Sequence, residues 1–200
     1  MKKNLAIIGG FQEDYTPELQ AALKQHLPNI HRSEIILSCP PLTALQHPRT
    51  RIASIRKRLK NLTDEHPTIV ICHSYGALIG LTAAAELEFE NMPIGLYING
   101  PLNPEISIPV PEIKPHFALF YRHFALRDKT AQDCALTLDQ LDGSKYKNQI
   151  TFGTELDNLV PHSAHNMPGL RHQDFTGTNS HSLSRTKIDQ IIKILTEHDV

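Results

Sequence analysis

Ser74 lies where a strand-like run gives way to a helix-prone run, within the segment Cys72-His73-Ser74-Tyr75-Gly76. A strand, a sharp turn and a helix expose a nucleophilic hydroxyl above the end of a parallel sheet. Such a turn favours small residues two positions before and after the serine, which Gly76 satisfies and Cys72 satisfies less well. The pattern predicts a nucleophilic Ser74, with the Tyr75 amide facing a developing oxyanion. The alternative is an ordinary strand-to-helix turn.

A serine nucleophile needs a base, and the base needs an acid that orients it. Asp157 follows a strand-like run at residues 149–153, and His181 lies in a polar loop just before the last predicted helix. We expect Asp157 to be the acid and His181 the base. Glu155 remains a second candidate for the acid. Three other histidines are candidate bases: His162, His165 and His172. Because they are close to Asp157 in sequence, the chain would have to fold back sharply to place one of them between Asp157 and Ser74. His73 directly precedes Ser74, and its side chain is expected to pack in the interior or to support the site.

These segments together resemble the α/β-hydrolase family over nearly the whole chain. The matching pieces are Ile7-Ile8-Gly9-Gly10-Phe11, Cys72-His73-Ser74-Tyr75-Gly76, Asp157-x-x-Val160-Pro161 and Ser180-His181, in the family's order of nucleophile, acid and base. The resemblance implies Ser74 as nucleophile, His181 as base, Asp157 as orienting acid, and the amides of Phe11 and Tyr75 as oxyanion hole. The chain departs from the family pattern at Cys72, where glycine is usual, and in the spacing between Gly153 and Asp157.

Alternating strand and helix signals predict a doubly wound, mostly parallel α/β sheet of about six strands with helices on both faces. Strands are expected near residues 4–8, 34–38, 69–71, 93–99, 149–152 and 170–175. Helices are expected near 16–27, 49–62, 77–91 and from Ser184 onward. Because Gly9-Gly10 comes so early, the chain would lack the two leading strands of the usual family pattern.

Residues 101–147 interrupt this alternation within a predicted single domain of residues 1–200. Five prolines open the segment, and an aromatic stripe with helical spacing follows, formed by Phe117, Phe120, Tyr121 and Phe124. The stripe is either a helix packed on the sheet or a cap that lines an acyl-binding pocket over Ser74. Both interpretations remain open at the level of the sequence.

A basic run covers residues 49–60, with six positive side chains and no acidic one. It is expected to be a solvated helix face, or else a docking surface for an acidic carrier protein. Nucleic acid is not expected as a partner, because the pI is about 6.9 and no aromatic residues interleave the basic ones.

Composition favours a globular protein, with a net charge of −1 and 40% hydrophobic residues. No apolar run approaches the roughly 18 residues of a membrane span. We interpret the N-terminal segment as a strand rather than an export signal. The three cysteines have no disulfide or zinc spacing, so a cytoplasmic location is expected.

The sequence therefore predicts a serine hydrolase that cleaves a carboxylic ester or thioester, with a small-molecule acyl substrate and no metal or cofactor. A non-catalytic binding protein on the same fold is one alternative. A peptidase or carbon–carbon hydrolase with the same triad is another, since the triad does not select the leaving group.

Overall fold

The computed structural model describes residues 1–10, 16–38, 46–87, 93–106, 125–140, 146–157 and 159–197. Within these residues, six strands form one sheet: β1 (Lys3–Gly9), β2 (Ile30–Leu37), β3 (Thr68–His73), β4 (Ile94–Ile98), β5 (Gln149–Gly153) and β6 (Arg171–Asp174). The described ranges also contain five α-helices: α1 (Thr16–His26), α2 (Pro48–Glu65), α3 (Tyr75–Ala85), α4 (Arg127–Asp139) and α5 (Arg185–Glu197). A short 3₁₀ turn covers His162–Ala164.

All strand pairs are parallel, and the strand order is β2-β1-β3-β4-β5-β6. This arrangement confirms the predicted doubly wound parallel sheet. The carboxyl ends of the strands share one edge of the sheet, and residues that follow β3, β5 and β6 are therefore brought together there.

The core lies in two layers, one on each face of the sheet. Helices α2, α3 and α4 pack on one face, where Ile55, Leu78 and Cys134 are fully buried. Helices α1 and α5 cover the other face through side chains such as Leu23 and Ile191. The predicted apolar stripe of the last helix is confirmed, since Ile188, Ile191, Ile192 and Leu195 are all buried.

Two element boundaries differ most from the prediction. Strand β2 begins at Ile30 rather than Glu34. The sequence did not indicate this start, because the first half of the strand lies at the sheet edge and carries polar residues that show no hydrophobic pattern. Helix α3 ends at Ala85 rather than near Asn91. The Leu87 amide donates to the Ala84 carbonyl at 3.0 Å, which tightens the last turn and ends the helix.

The predicted insertion at 101–147 is described in part. Helix α4 lies within it and packs against α3 through Ala131 and Cys134. The aromatic stripe of Phe117, Phe120, Tyr121 and Phe124 falls outside the described residues, so a cap or acyl pocket there stays a prediction. None of the helices in the described ranges has the length and apolar character needed to span a membrane.

Candidate active site

Ser74 occupies a strained turn between the central strand β3 and helix α3. Its backbone has φ 55° and ψ −134°, a conformation that L-residues rarely adopt. The turn is held because the Ser74 amide donates to the Ile98 carbonyl at the end of β4, at 2.9 Å. Such strain costs of order 1–3 kcal/mol and persists where the surrounding structure enforces it, commonly at functional sites.

Small neighbours make this turn sterically feasible. A Cβ at Gly76 would lie 2.5 Å from the carbonyl oxygens of Ile8 and Gly9, so a side chain there would collide with β1. Cys72 is accommodated by a different glycine: a Cβ at Gly80 would lie 2.4 Å from the Cys72 sulfur. The absence of a side chain at Gly80 thus offsets the larger residue at position 72. Burial raises the pKa of the Cys72 thiol well above its ordinary value, which makes it a poor nucleophile.

A continuous hydrogen-bond chain joins Ser74, His181 and Asp157. The Ser74 hydroxyl lies 2.9 Å from Nε2 of His181, and Nδ1 of His181 lies 2.7 Å from Oδ2 of Asp157. With the proton on Nδ1, His181 donates to the carboxylate and accepts from the serine. Three residues from three different loops therefore meet at the carboxyl edge of the sheet, in the order that a serine nucleophile, its base and an orienting acid require.

Backbone amides and burial hold the Asp157 carboxylate in place at the end of this series of hydrogen bonds. Its side chain is fully buried, and Oδ1 accepts hydrogen bonds from the amides of Leu159 and Val160 at 2.8 and 3.0 Å. Burial by itself would raise the pKa of Asp157, but the imidazoles of His165 and His181 and the Val160 amide hold that pKa well below its usual range. The carboxylate stays ionised and has one oxygen left for His181. Glu155, the second candidate acid, is exposed.

Comparison with solved structures identifies the architecture. The chain is similar to the esterase Est1E from Butyrivibrio proteoclasticus, with a TM-score of 0.65 and 16% identity, covering 99% of this chain and 87% of that one. It is similar to tomato methylketone synthase I complexed with 2-tridecanone, with a TM-score of 0.62 and 14% identity over 100% and 98% of the two chains. This chain has the α/β-hydrolase fold.

A third similar structure is the esterase domain of a Rhodothermus marinus protein, with a TM-score of 0.60 and 12% identity over 98% of this chain and 85% of that one. No family model and no curated protein matches the sequence. The likeness is thus one of α/β-hydrolase architecture, and activity has to be argued from the site itself.

In this α/β-hydrolase fold, buried groups hold the loop that carries His181. The His181 carbonyl is 2.7 Å from Nε2 of His73 and 2.8 Å from the Asn99 amide nitrogen, so both side chains donate to it. Asn99 is itself oriented by a hydrogen bond from the Thr154 hydroxyl at 2.9 Å. His73 therefore supports the loop of His181 and does not face Ser74 as a base. This agrees with the supporting position expected from the sequence.

Lys187 supports the same loop from helix α5. Its Nζ donates to the Ser180 carbonyl, directly before His181, and lies 5.4 Å from the centre of the Phe175 ring. Burial lowers the pKa of Lys187 to about 8, although the negative charge of Asp157 opposes that shift.

His165 is a second histidine beside the acid. It is fully buried, its Nδ1 lies 3.3 Å from the Gly100 carbonyl, and its Nε2 lies 3.3 Å from Oδ2 of Asp157. The alignment at Nε2 is too poor for a hydrogen bond, and no other partner for this atom occurs among the described residues. The chain does fold back toward the acid, but the contacts of His165 are with Asp157 and Gly100, while Ser74 is hydrogen-bonded to His181.

His162 and His172, the remaining candidate bases, contact a different carboxylate. Their Nε2 atoms lie 2.7 and 3.3 Å from Oδ1 of Asp174. Burial lowers the pKa of His172, with the Asp174 charge opposing the shift. Burial by itself would raise the pKa of Asp174, but the contacts with His162 and His172 hold that pKa below its ordinary value.

The predicted oxyanion hole is described in part. Tyr75 is the first residue of α3, so its amide lies at the positive end of the helix and next to Ser74. Phe11 lies outside the described residues, and its role remains a prediction.

Sequence reasoning missed Asn99, Thr154 and Lys187. Asn99 and Thr154 each follow a strand that reaches the carboxyl edge of the sheet, which is a usable signal for a supporting role. Lys187 gave no such signal, because a lysine in an amphipathic helix is ordinarily exposed.

Proposed function

We propose that this protein is a serine hydrolase that cleaves carboxylic esters or thioesters through an acyl-enzyme on Ser74. The observation that carries the proposal is the unbroken hydrogen-bond chain from the Ser74 hydroxyl through His181 to the buried Asp157 carboxylate. The strained backbone of Ser74 adds weight, because an ordinary strand-to-helix turn has no need of it.

Acylation begins when Ser74 Oγ attacks the carbonyl carbon of the substrate and its proton passes to Nε2 of His181. The carbonyl oxygen becomes an oxyanion, which the amides of Tyr75 and Phe11 stabilise by hydrogen bonds. Asp157 keeps the proton on Nδ1 and stabilises the imidazolium. His181 then gives its proton to the departing alcohol or thiol, leaving the acyl group on Ser74.

Deacylation repeats these steps with water. Nε2 of His181 accepts a proton from a water molecule, whose oxygen attacks the acyl carbonyl, and the collapse of the second tetrahedral intermediate returns the proton to Ser74. A rigid base is needed for both proton transfers, and the donors on the His181 carbonyl provide that rigidity. This chemistry uses no metal or organic cofactor.

Two lines of support favour an acyl ester or thioester as the small-molecule substrate. Two of the similar structures are described as esterases, and another holds the aliphatic ketone 2-tridecanone. The predicted aromatic stripe of Phe117, Phe120, Tyr121 and Phe124 would suit an aliphatic acyl group. The stripe is therefore proposed to bind the acyl chain.

An acidic carrier protein that presents a thioester at α2 is less well supported. Most of the basic side chains on this helix already contact carboxylates of the same chain: Arg49 and Arg56 bind Glu86, Arg58 binds Glu34, and Lys60 binds Asp64. These contacts favour a solvated helix face. The carrier remains a secondary proposal.

Labelling with a fluorophosphonate probe tests the nucleophile directly. The wild-type chain should be labelled stoichiometrically and should hydrolyse a short activated ester, because His181 activates Ser74. Ser74→Ala should lose both properties with little change in its unfolding midpoint. Ser182→Ala is the matched control, since Ser182 is exposed and adjacent to the base, and it should retain labelling.

Labelling that persists in Ser74→Ala would assign the nucleophile elsewhere. A folded wild-type chain that resists the probe and hydrolyses no ester would instead support a binding protein on this fold. A labelled chain that cleaves peptides or carbon–carbon bonds but no ester would keep the triad and overturn the substrate class.

A further inference from the structure

A second group of chemically reactive side chains lies apart from the serine hydrogen-bond chain. It consists of His162, His172 and Asp174, whose potential ligand atoms all lie within 4.8 Å of one another. Oδ1 of Asp174 is the centre of the group, at 2.7 Å from Nε2 of His162 and 3.3 Å from Nε2 of His172. We call this group the β6 cluster.

Rigid elements hold the three side chains of the β6 cluster together. His172 and Asp174 are two residues apart on β6 and therefore point to the same face of the strand. His162 begins the 3₁₀ turn that follows the Asp157 loop. Gly153, paired with Asp174 in the sheet, leaves the necessary space: a Cβ there would lie 2.9 Å from Oδ1 of Asp174 and 3.1 Å from Nε2 of His172.

Thr151 provides the outer support that metal-binding histidines usually have. Its hydroxyl lies 2.8 Å from Nδ1 of His172 and 3.2 Å from the Arg171 carbonyl. When the hydroxyl donates a hydrogen bond to that carbonyl, its oxygen accepts a hydrogen bond from the N–H group at Nδ1 of His172. Nε2 of His172 then presents a lone pair toward the cluster, which is the tautomer a metal ion requires.

We propose that the β6 cluster binds one divalent transition-metal ion of the zinc class through Nε2 of His162, Nε2 of His172 and Oδ1 of Asp174. Two imidazoles and one carboxylate form a donor set that suits zinc and its neighbours. Tetrahedral bonds of about 2.0–2.1 Å separate ligand atoms by about 3.3–3.4 Å. The contact of His172 with Asp174 already has that separation, and the contact of His162, at 2.7 Å, needs to open by about 0.6–0.7 Å.

The bound ion would connect two parts of the sheet edge. His162 and Asp174 are 40% and 48% exposed, which leaves the remaining coordination positions to water. The ion would clamp the chain segment after Asp157 onto the edge strand β6. This proposal does not depend on hydrolase activity.

Calorimetric titration of the tag-free, chelator-stripped chain with Zn²⁺ tests the proposal. One ion should bind per chain, and the thermal unfolding midpoint should rise as Zn²⁺ is added. Substitution of Co²⁺ should give visible absorption bands of an ion bound to nitrogen and oxygen ligands.

Two variants each remove one proposed ligand, and a third removes the outer support of His172. Asp174→Asn and His162→Ala each remove a ligand at an exposed position and should weaken Zn²⁺ binding by more than about 100-fold, beyond the range of outer-support substitutions. Thr151→Val keeps the volume but removes the partner of Nδ1, and should weaken binding by about 10–100-fold. Circular dichroism confirms that each variant is folded.

His31→Ala is the matched control, because His31 and His66 form another close histidine pair with ring centres 4.8 Å apart. It should leave binding at the β6 cluster unchanged. Absence of one-to-one binding, unchanged affinity in Asp174→Asn and His162→Ala, or loss of binding in His31→Ala would each overturn the proposal.

Discussion

Two carboxylates near the end of β5 each contact two histidines, and they differ in burial and in backbone contacts. Asp157 is fully buried, uses one oxygen for backbone amides and holds His181 with the other. Asp174 is 48% exposed, and no backbone amide among the described residues is shown bonded to it. Each carboxylate meets its two histidines with a single oxygen, Oδ2 of Asp157 and Oδ1 of Asp174. The difference lies in burial and in the amides that hold Asp157, which favour one tautomer of His181, whereas the exposure of Asp174 leaves room for the metal ion and water proposed above. We therefore propose that burial assigns the same residue types to two different roles.

Matched substitutions of the two carboxylates should give the largest contrast. Asp157→Asn should lower the turnover of an activated ester by about 10⁴-fold, because the amide no longer selects the proton on Nδ1 of His181. Asp174→Asn should leave turnover within a few fold of wild type in metal-free buffer. Steady-state kinetics with both variants measures the difference.

Glu155→Gln is the control for the choice of acid. Since Glu155 is exposed and Asp157 holds His181, this variant should retain nearly full turnover. If Glu155→Gln were inactive while Asp157→Asn were active, Glu155 would be the orienting acid in solution.

The histidines of the two groups should differ in their effect on stability. His165→Leu should lower the free energy of unfolding by about 0.5–1.5 kcal/mol, because it removes a buried hydrogen bond to the Gly100 carbonyl, which keeps its bond from the Leu102 amide. His162→Leu should lower it by about 0–1 kcal/mol, since its hydrogen bond to Asp174 is half-exposed. Urea unfolding in metal-free buffer measures both. Equal losses would contradict the importance of burial.

The smallest effect concerns acid pH. The pKa of Asp157 is lowered in the folded protein, so its ionisation contributes stability above the unfolded value of about 3.9. That contribution is lost as pH falls through the lower folded pKa. The stability difference between wild type and Asp157→Asn should therefore shrink as pH falls below about 4.

The same comparison with Asp174→Asn should show a weaker dependence on pH, because that carboxylate is half-exposed. Chemical denaturation between pH 5 and the acid limit of folding provides the curves. A steeper dependence for Asp174→Asn would reverse the ranking of the two sites.

The sequence determined the features that depend on local patterns. The strand-turn-helix around Ser74 follows from β-branched residues, Gly76 and a helix-prone run, and the apolar stripe of α5 follows from helical spacing. Alternation of these elements predicts the parallel sheet and places Ser74, Asp157 and His181 at one edge. Their catalytic roles remain predictions, as does the single-domain organisation with an insertion at 101–147.

Tertiary structure decided what depends on packing between distant segments. Residues in irregular loops have no periodicity, so sequence could not show that Asp157 rather than Glu155 meets His181, or that His165 faces the acid while His162 and His172 contact Asp174. Gly80 makes room for Cys72 because α3 lies directly against β3, a contact that no spacing rule contains. Local propensity therefore set the elements, and the distances between their ends set which side chains can react together.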